Sequence, residues 1–272
     1  MTSAHTRVFA ILGDPIAHSL SPRIHNAAFA ACGIDAAFVA LRTDADAVAQ
    51  LMHALARAGG GGSVTLPHKP AAAAALVQPT ATVQQTGACN TFWGESGRLC
   101  GDNTDVQGFR DAAAHHGVSL DEARVLLIGA GGAAAAVLAV LHAARARVTL
   151  LSRSPDRALT LRERLGSDAR IATTPLSGAY DVIINATSLG LRSSDPLPLP
   201  LDRVAEGATL LDVVYAPGST AWVRAARARG LAAFDGTEML LRQAGAAFAR
   251  WTGRDAPLDA MRSALAEAVV AP

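Results

Sequence analysis

Four short segments of the chain hold the residues able to do chemistry. In Ile16-Ala17-His18-Ser19-Leu20-Ser21-Pro22, two serines flank a helix start, where spare N–H donors suit a carboxylate ligand. Capping by Ser21 alone would explain one serine and leave the other. In Ser63-Val64-Thr65-Leu66-Pro67-His68-Lys69, Thr65 and Lys69 lie just beyond the end of an apolar run, the place where ligands collect in α/β sheets. A solvated surface charge is the alternative for Lys69. Asn90-Thr91 and Gly101-Asp102-Asn103-Thr104-Asp105 form a third polar group ahead of a helix, and Asp105 as a plain N-cap stays open there.

The fourth segment binds nucleotide by its pattern. Val125-Leu126-Leu127-Ile128-Gly129-Ala130-Gly131-Gly132-Ala133-Ala134 reads as strand, glycine-rich turn and helix start. Gly129, Gly131 and Ala134 fill the G-x-G-x-x-G/A fingerprint: one glycine for the tight turn, one for close approach to pyrophosphate, a small residue for helix packing. Pyrophosphate then meets unpaired N–H groups at the helix N-terminus. An NAD site places Asp or Glu after the next strand, about 20 residues on. This chain has Ser152-Arg153-Ser154 there, with Arg157 beyond, so two guanidiniums suited to a 2′-phosphate replace the acid. NADP is the expected cofactor; the alternative leaves Arg153 and Arg157 as surface charges.

The elements that must position these residues follow from periodicity. Val8–Leu12, Ala37–Arg42 and Ser63–Leu66 read as strands, with helices from Ser21 as N-cap to Cys32, over 45–58 and from near Lys69. That alternation implies parallel pairing. Residues 90–93 and 98–100 suggest a hairpin, and a helix over 105–116 follows. A second α/β unit then begins at Arg124, with strands at 125–128, 148–151, 182–185 and 209–213 and helices over 131–144 and 156–165. Two long helices, 238–252 and 259–269, close the chain. The 272 residues are enough for two cores, and a net charge of +1 offers no field for nucleic acid. No apolar run is long enough to span a bilayer, and the polar first residues do not form a signal peptide. Cys32, Cys89 and Cys100 have no paired spacing, which fits free thiols in a cytoplasmic setting, and the histidines have no metal-ligand spacing.

Taken together and in order, these segments resemble the shikimate dehydrogenase family over nearly the full length. The resemblance is carried by Gly13 through Pro22, Val64-Thr65-Leu66-Pro67-His68-Lys69, Asn90-Thr91, Gly101 through Asp105 and Gly129 through Ala133. It continues in Ile184-Asn185-Ala186-Thr187, Val214-Tyr215 and Met239 through Ala244. It implies an N-terminal α/β substrate domain (1–105 with 238–272), a Rossmann NADP domain (106–237), and C-terminal helices returning to the first domain. It implies that Lys69 and Asp105 are the catalytic pair. Ser19 and Ser21, with Tyr215 nearby, would bind the substrate carboxylate, and Thr65, Asn90 and Gln243 the ring hydroxyls. Cofactor contacts would come from Gly129, Ala130, Gly131, Gly132, Ala133, Ser152, Arg153, Arg157, Asn185, Ala186, Thr187, Val213 and Gly236.

The implied reaction is NADPH-dependent, reversible reduction of 3-dehydroshikimate to shikimate in a monomer or homodimer. Hydride delivery to a ring ketone leaves an alkoxide that needs a proton, which Lys69 can give while stabilising the growing charge. The chain departs from the family pattern at Ser63, where Asn is common, at Ala135, where a basic residue is frequent, and at Thr237-Glu238. An NAD-dependent quinate/shikimate or aminoshikimate dehydrogenase is the alternative enzyme. A non-catalytic ligand sensor is the alternative of another class, and it would be expected to have lost Lys69 or Asp105.

Overall fold

The computed structural model describes residues 3–174 and 180–270. It divides into two compact units, Met1–Gly108 with Leu241–Pro272 and Phe109–Leu240. The changeovers follow Gly108 and Leu240, inside helices, where the sequence suggested breaks after 105 and 237.

The first unit is built on β1 (Arg7–Gly13), α1 (Ser21–Ala31), β2 (Ala36–Arg42), α2 (Val48–Arg57), β3 (Gly61–Val64), α3 (Lys69–Ala74) and α4 (Ala81–Thr86). β4 (Thr91–Glu95), β5 (Arg98–Asp102) and the start of α5 (Asp105–His115) follow. The sheet order is β2-β1-β3-β4-β5, with β1 parallel to both β2 and β3, and the β4–β5 hairpin antiparallel. The third strand starts earlier than expected, inside the glycine run. A Cβ on Gly62 would lie 2.0 Å from the Ala10 carbonyl oxygen, so only glycine lets β3 slot between its neighbours. Two helix starts also differ from expectation. Leu20, not Ser21, is the N-cap of α1, and Ser19 Oγ accepts the Ser21 N–H at 3.3 Å. The second helix begins at Val48 because Asp44 Oδ1 accepts the Ala47 N–H at 2.9 Å in a preceding turn.

The second unit contains β6 (Arg124–Ile128), α6 (Gly132–Ala143), β7 (Arg147–Leu151), α7 (Pro155–Leu165), β8 (Arg170–Ala172) and β9 (Val182–Asn185). It continues with β10 (Thr209–Asp212), α8 (Ala221–Ala228) and β11 (Ala233–Phe234). All six strands are parallel in the order β11-β10-β9-β6-β7-β8. Strand order reverses between β6 and β9, which makes that edge a topological switch point. Leu126, Ile128, Ile183, Leu210, Trp222 and Val223 form its core on one face. Each such side chain contributes roughly 1.5–3 kcal/mol by leaving water.

The last helices, α9 (Thr237–Thr252) and α10 (Leu258–Val270), bring the chain back to the first unit. The cause is aromatic. Trp251 of α9 packs 5.2 Å from Phe9 and 5.7 Å from Phe38, and Phe248 packs 5.9 Å from Phe29, while α10 lies along α1. Trp251 Nε1 also donates to Thr91 Oγ1 at 2.9 Å, so the apolar anchor carries a satisfied polar tip.

Candidate active site and nucleotide site

In the first unit the chain folds three distant segments onto one carboxylate. Lys69 is the first residue of α3, held there by the buried His68, whose Nε2 lies 2.6 Å from the Thr43 carbonyl oxygen. The Lys69 carbonyl also accepts the Cys89 N–H at 2.9 Å, which ties the helix start to the strand leading to Asn90. Lys69 Nζ donates to Asp105 Oδ2; the side chains are 16% and 7% exposed, so the pair is screened from water yet reachable. The other oxygen, Asp105 Oδ1, accepts from Asn90 Nδ2 at 2.8 Å. Asp105 is therefore not an N-cap. It is the first helical residue of α5, its own N–H goes to Asn103 Oδ1 at 3.2 Å, and the helix terminus favours its negative charge.

Asn90 organises this cluster. Its Oδ1 accepts the Thr104 N–H at 2.7 Å, and its Nδ2 reaches Thr104 Oγ1 at 3.0 Å and Gln243 Oε1 at 3.4 Å. Gln243 comes close because Gly108 lacks a side chain: a Cβ there would lie 2.6 Å from Gln243 Cβ. Gly108 is thus a positioning residue that the sequence reading missed. The buried Asp102 is another. Its Oδ1 accepts the Asn103 N–H and the Thr80 hydroxyl, each at 2.8 Å, and its Oδ2 faces Arg250 at 2.9 Å. Asn103 Nδ2 in turn donates to Thr86 Oγ1 at 3.0 Å. Arg250 lies on α9 with Gln243, so one helix braces both ends of the loop that presents Asp105.

Thr65 sits half-buried just past β3, and the loop ahead of Ser19 and Ser21 packs on it. The Asp14 N–H donates to the Leu66 carbonyl at 3.1 Å, and the Ser19 N–H to that of Ile16 at 3.0 Å. Ser19 is half-buried and Ser21 buried. Ser63 is buried in β3, opposite Thr91.

In the second unit the fingerprint turn has the conformation its glycines predict. Gly129 has φ +116, and a Cβ on it would lie 2.7 Å from the Ala186 carbonyl oxygen. Gly131 is the N-cap of α6, and a Cβ there would meet no atom within 4 Å, leaving the helix terminus open to a ligand. The buried Ala134 permits the close helix approach, and Gly132 opens α6 ahead of Ala133. Ser152, at the end of β7, is buried, and its Oγ donates to the Ser154 carbonyl at 3.0 Å. Arg153 and Arg157 are exposed, and neither guanidinium has a hydrogen-bond or ion-pair partner among the described residues. Gly236 lets Val213 approach, since a Cβ there would lie 2.2 Å from the Val213 carbonyl oxygen. Tyr215, half-buried, stands two positions after Val213.

Asn185 differs in kind from the other expected cofactor residues. It is fully buried, and its amide hydrogen-bonds only to protein: Nδ2 to Leu189 O at 3.0 Å and Asp212 Oδ1 at 2.8 Å, Oδ1 from Thr187 N at 3.1 Å and Thr187 Oγ1 at 2.7 Å. It shapes the loop that carries Ala186 and Thr187, and has no donor left for a nucleotide. Asp212, absent from the sequence reading, is pushed up to about 6, chiefly by burial, against the opposing hydrogen bonds from Val214, Thr220 and Asn185.

A six-stranded parallel sheet with an open glycine turn at its switch point defines a dinucleotide-binding α/β protein. The Lys69–Asp105 pair in the other unit has the groups acid–base chemistry needs, a combination that suits an oxidoreductase. Family models describe the same parts. Residues 11–92 match the shikimate dehydrogenase substrate binding domain, 111–191 shikimate / quinate 5-dehydrogenase, and 236–266 the shikimate 5′-dehydrogenase C-terminal domain. The chain is 43% identical to the shikimate dehydrogenase (NADP(+)) of Rubrobacter xylanophilus, covering 96% of this chain and 95% of that one. It is 40% identical to the one of Acidiphilium cryptum over 92% of each. The crystal structure of shikimate 5-dehydrogenase from Thermus thermophilus in complex with NADP(H) and shikimate superposes with a TM-score of 0.87. It is 38% identical and covers 96% of this chain and 99% of that one. The chain belongs to the shikimate dehydrogenase family.

Proposed function

We propose that this protein catalyses the reversible reduction of 3-dehydroshikimate to shikimate with NADPH. The observation that carries the reading is the Lys69–Asp105 pair, clamped by Asn90 in the unit that matches the family's substrate-binding domain. When bound, the dinucleotide supplies hydride to the ring ketone and takes it back in the reverse direction. Lys69, as ammonium, gives a proton to the ketone oxygen as negative charge builds there, and in reverse, as the neutral amine, takes one from the hydroxyl. Asp105 holds that ammonium in place and accepts a neighbouring ring hydroxyl. Thr65, Asn90 and Gln243 hydrogen-bond the remaining hydroxyls, and Ser19, Ser21 and Tyr215 take the carboxylate.

The residues present fit NADP. Gly129, Ala130, Gly131, Gly132 and Ala133 form an open helix N-terminus for pyrophosphate, and Arg153 and Arg157 offer two uncommitted guanidiniums to the 2′-phosphate beside Ser152. Ala186, Thr187, Val213 and Gly236 contribute backbone and shape, and Asn185 holds that shape. The three cysteines are free thiols, which suits a reducing cytoplasm, and no helix among the described residues is long and apolar enough to cross a membrane. The working unit is a monomer or homodimer that needs no nucleic-acid partner. A steady-state matrix of shikimate and quinate against NADP and NAD, read by nicotinamide absorbance, tests the reading. Shikimate with NADP is expected to be fastest by a wide margin. Equal rates with NAD would overturn the cofactor, and no oxidation of shikimate by either would overturn the reaction.

A further inference from the structure

Asp212 is a buried carboxylate at the end of β10 that the chemistry above leaves without a task. It joins three separate stretches of the second unit. Its Oδ1 accepts from Asn185 Nδ2 at 2.8 Å and from the Val214 N–H at 3.0 Å, and its Oδ2 accepts from Thr220 Oγ1 at 2.8 Å. Thr220 is also the N-cap of α8, taking the Val223 N–H at 3.3 Å. The bond to Asn185 has a consequence beyond strength. A carboxylate can only accept here, so together with the Leu189 carbonyl it holds the Asn185 amide with its nitrogen toward Asp212 and its oxygen toward Thr187. That oxygen then holds both the N–H and the hydroxyl of Thr187, whose Oγ1 takes the Leu189 N–H at 3.1 Å. The loop so wound lies directly against the fingerprint turn: the Cβ missing from Gly129 would stand 2.7 Å from Ala186 O and 3.1 Å from Thr187 Cγ2. On the other side, the Val214 bond fixes the peptide next to Val213, which abuts Gly236.

We propose that Asp212 is a positioning residue for dinucleotide binding: by orienting the Asn185 amide and gripping Val214 and Thr220, it sets the loops after β9 and β10 in the shape the cofactor meets. The proposal rests on the dinucleotide-dependent function above. Because it acts through shape, hydrogen-bonding pattern matters and charge does not. An asparagine at 212 can present its oxygen to Asn185 and Val214 and its amide N–H to the second lone pair of the Thr220 oxygen, the first being taken by the Val223 N–H.

The test uses the full-length protein, with NADPH affinity measured by calorimetric titration and steady-state constants for NADP and shikimate. Asp212→Ala is expected to weaken NADPH binding and raise KM for NADP by about tenfold, while KM for shikimate stays within about twofold. Asp212→Asn is expected to restore NADPH affinity to within about twofold of the unmodified protein. Should Asp212→Ala not fold, Thr220→Val removes the Oδ2 contact together with the cap on the Val223 N–H and is judged by the same split. Unchanged NADPH affinity in the folded variant, a parallel rise in KM for shikimate, or failure of Asp212→Asn to restore binding would each overturn the proposal. Absence of NADPH binding by the unmodified protein would instead overturn the functional reading, and the proposal with it.

Discussion

Two buried carboxylates, one in each unit, are built from nearly the same parts. Asp105 and Asp212 each take an asparagine amide at 2.8 Å on Oδ1 and lie near a threonine at a helix start. They differ on Oδ2. Asp105 faces the ammonium of Lys69, whereas Asp212 faces, among the described residues, only the hydroxyl of Thr220. Without a cation, burial drives the Asp212 carboxyl up to about 6. With one, the buried charge is compensated, and the paired ammonium keeps 16% of its side chain exposed. On the proposed chemistry, a carboxylate–amide–threonine group is thus scaffolding in one unit and the root of an acid–base pair in the other, and the distinction is one lysine.

The sharpest way to break this comparison is to turn each carboxylate into an amide. At 105 both neighbours are donors, Asn90 Nδ2 and Lys69 Nζ, so an amide cannot satisfy the two together. Asp105→Asn is therefore expected to lower kcat by about 100-fold or more, whereas Asp212→Asn stays close to the unmodified rate. Equal losses at the two positions would dissolve the distinction. Next in size, Arg153→Ala should raise KM for NADP by about tenfold, the worth of one charge-assisted phosphate contact, and leave KM for NAD little changed. An unchanged KM for NADP would return Arg153 to the ordinary surface.

The smallest effect concerns stability. His25 is fully buried between Phe38 and Trp251, with neither ring nitrogen partnered among the described residues, and burial pulls it down to about 3. The unfolded chain takes up a proton there below about pH 6.5, while the native state does not. The contribution of neutral His25 is therefore whole above about 6.5 and is lost as pH falls toward 3. His25→Phe should flatten the fall of Tm between neutral pH and pH 4, whatever it does to Tm at neutral pH. Parallel curves for the two proteins would contradict the assignment.

How much of this was legible in the sequence depends on whether the information was local. The strand, turn and helix start around Gly129 and Gly131 were legible because the fingerprint is a contiguous pattern with a mechanism. The strands β8 and β11 were not, since Arg170–Ala172 and Ala233–Phe234 are too short to show a period. The helix α8 was missed although Thr220 and the buried Trp222, Val223 and Ala226 mark its cap and inner face. In the site, Lys69 and Asp105 are separated by 36 positions and Asn90 and Gln243 by 153, so no spacing rule joins them; sheet order and family resemblance did. Gly108 and Asp212 were hidden for a related reason. A glycine within a helix, or an acid closing an apolar strand, acquires meaning only when its neighbour across the fold is known.

The ammonium of Lys69 carries the most weight in the proposed chemistry. The decisive measurement is the steady-state rate of shikimate oxidation by NADP for Lys69→Ala against the unmodified protein. A fall in kcat of about 100-fold or more with only a modest change in KM for shikimate is the expected result. A changed KM with kcat preserved would make Lys69 a binding residue and contradict the acid–base role.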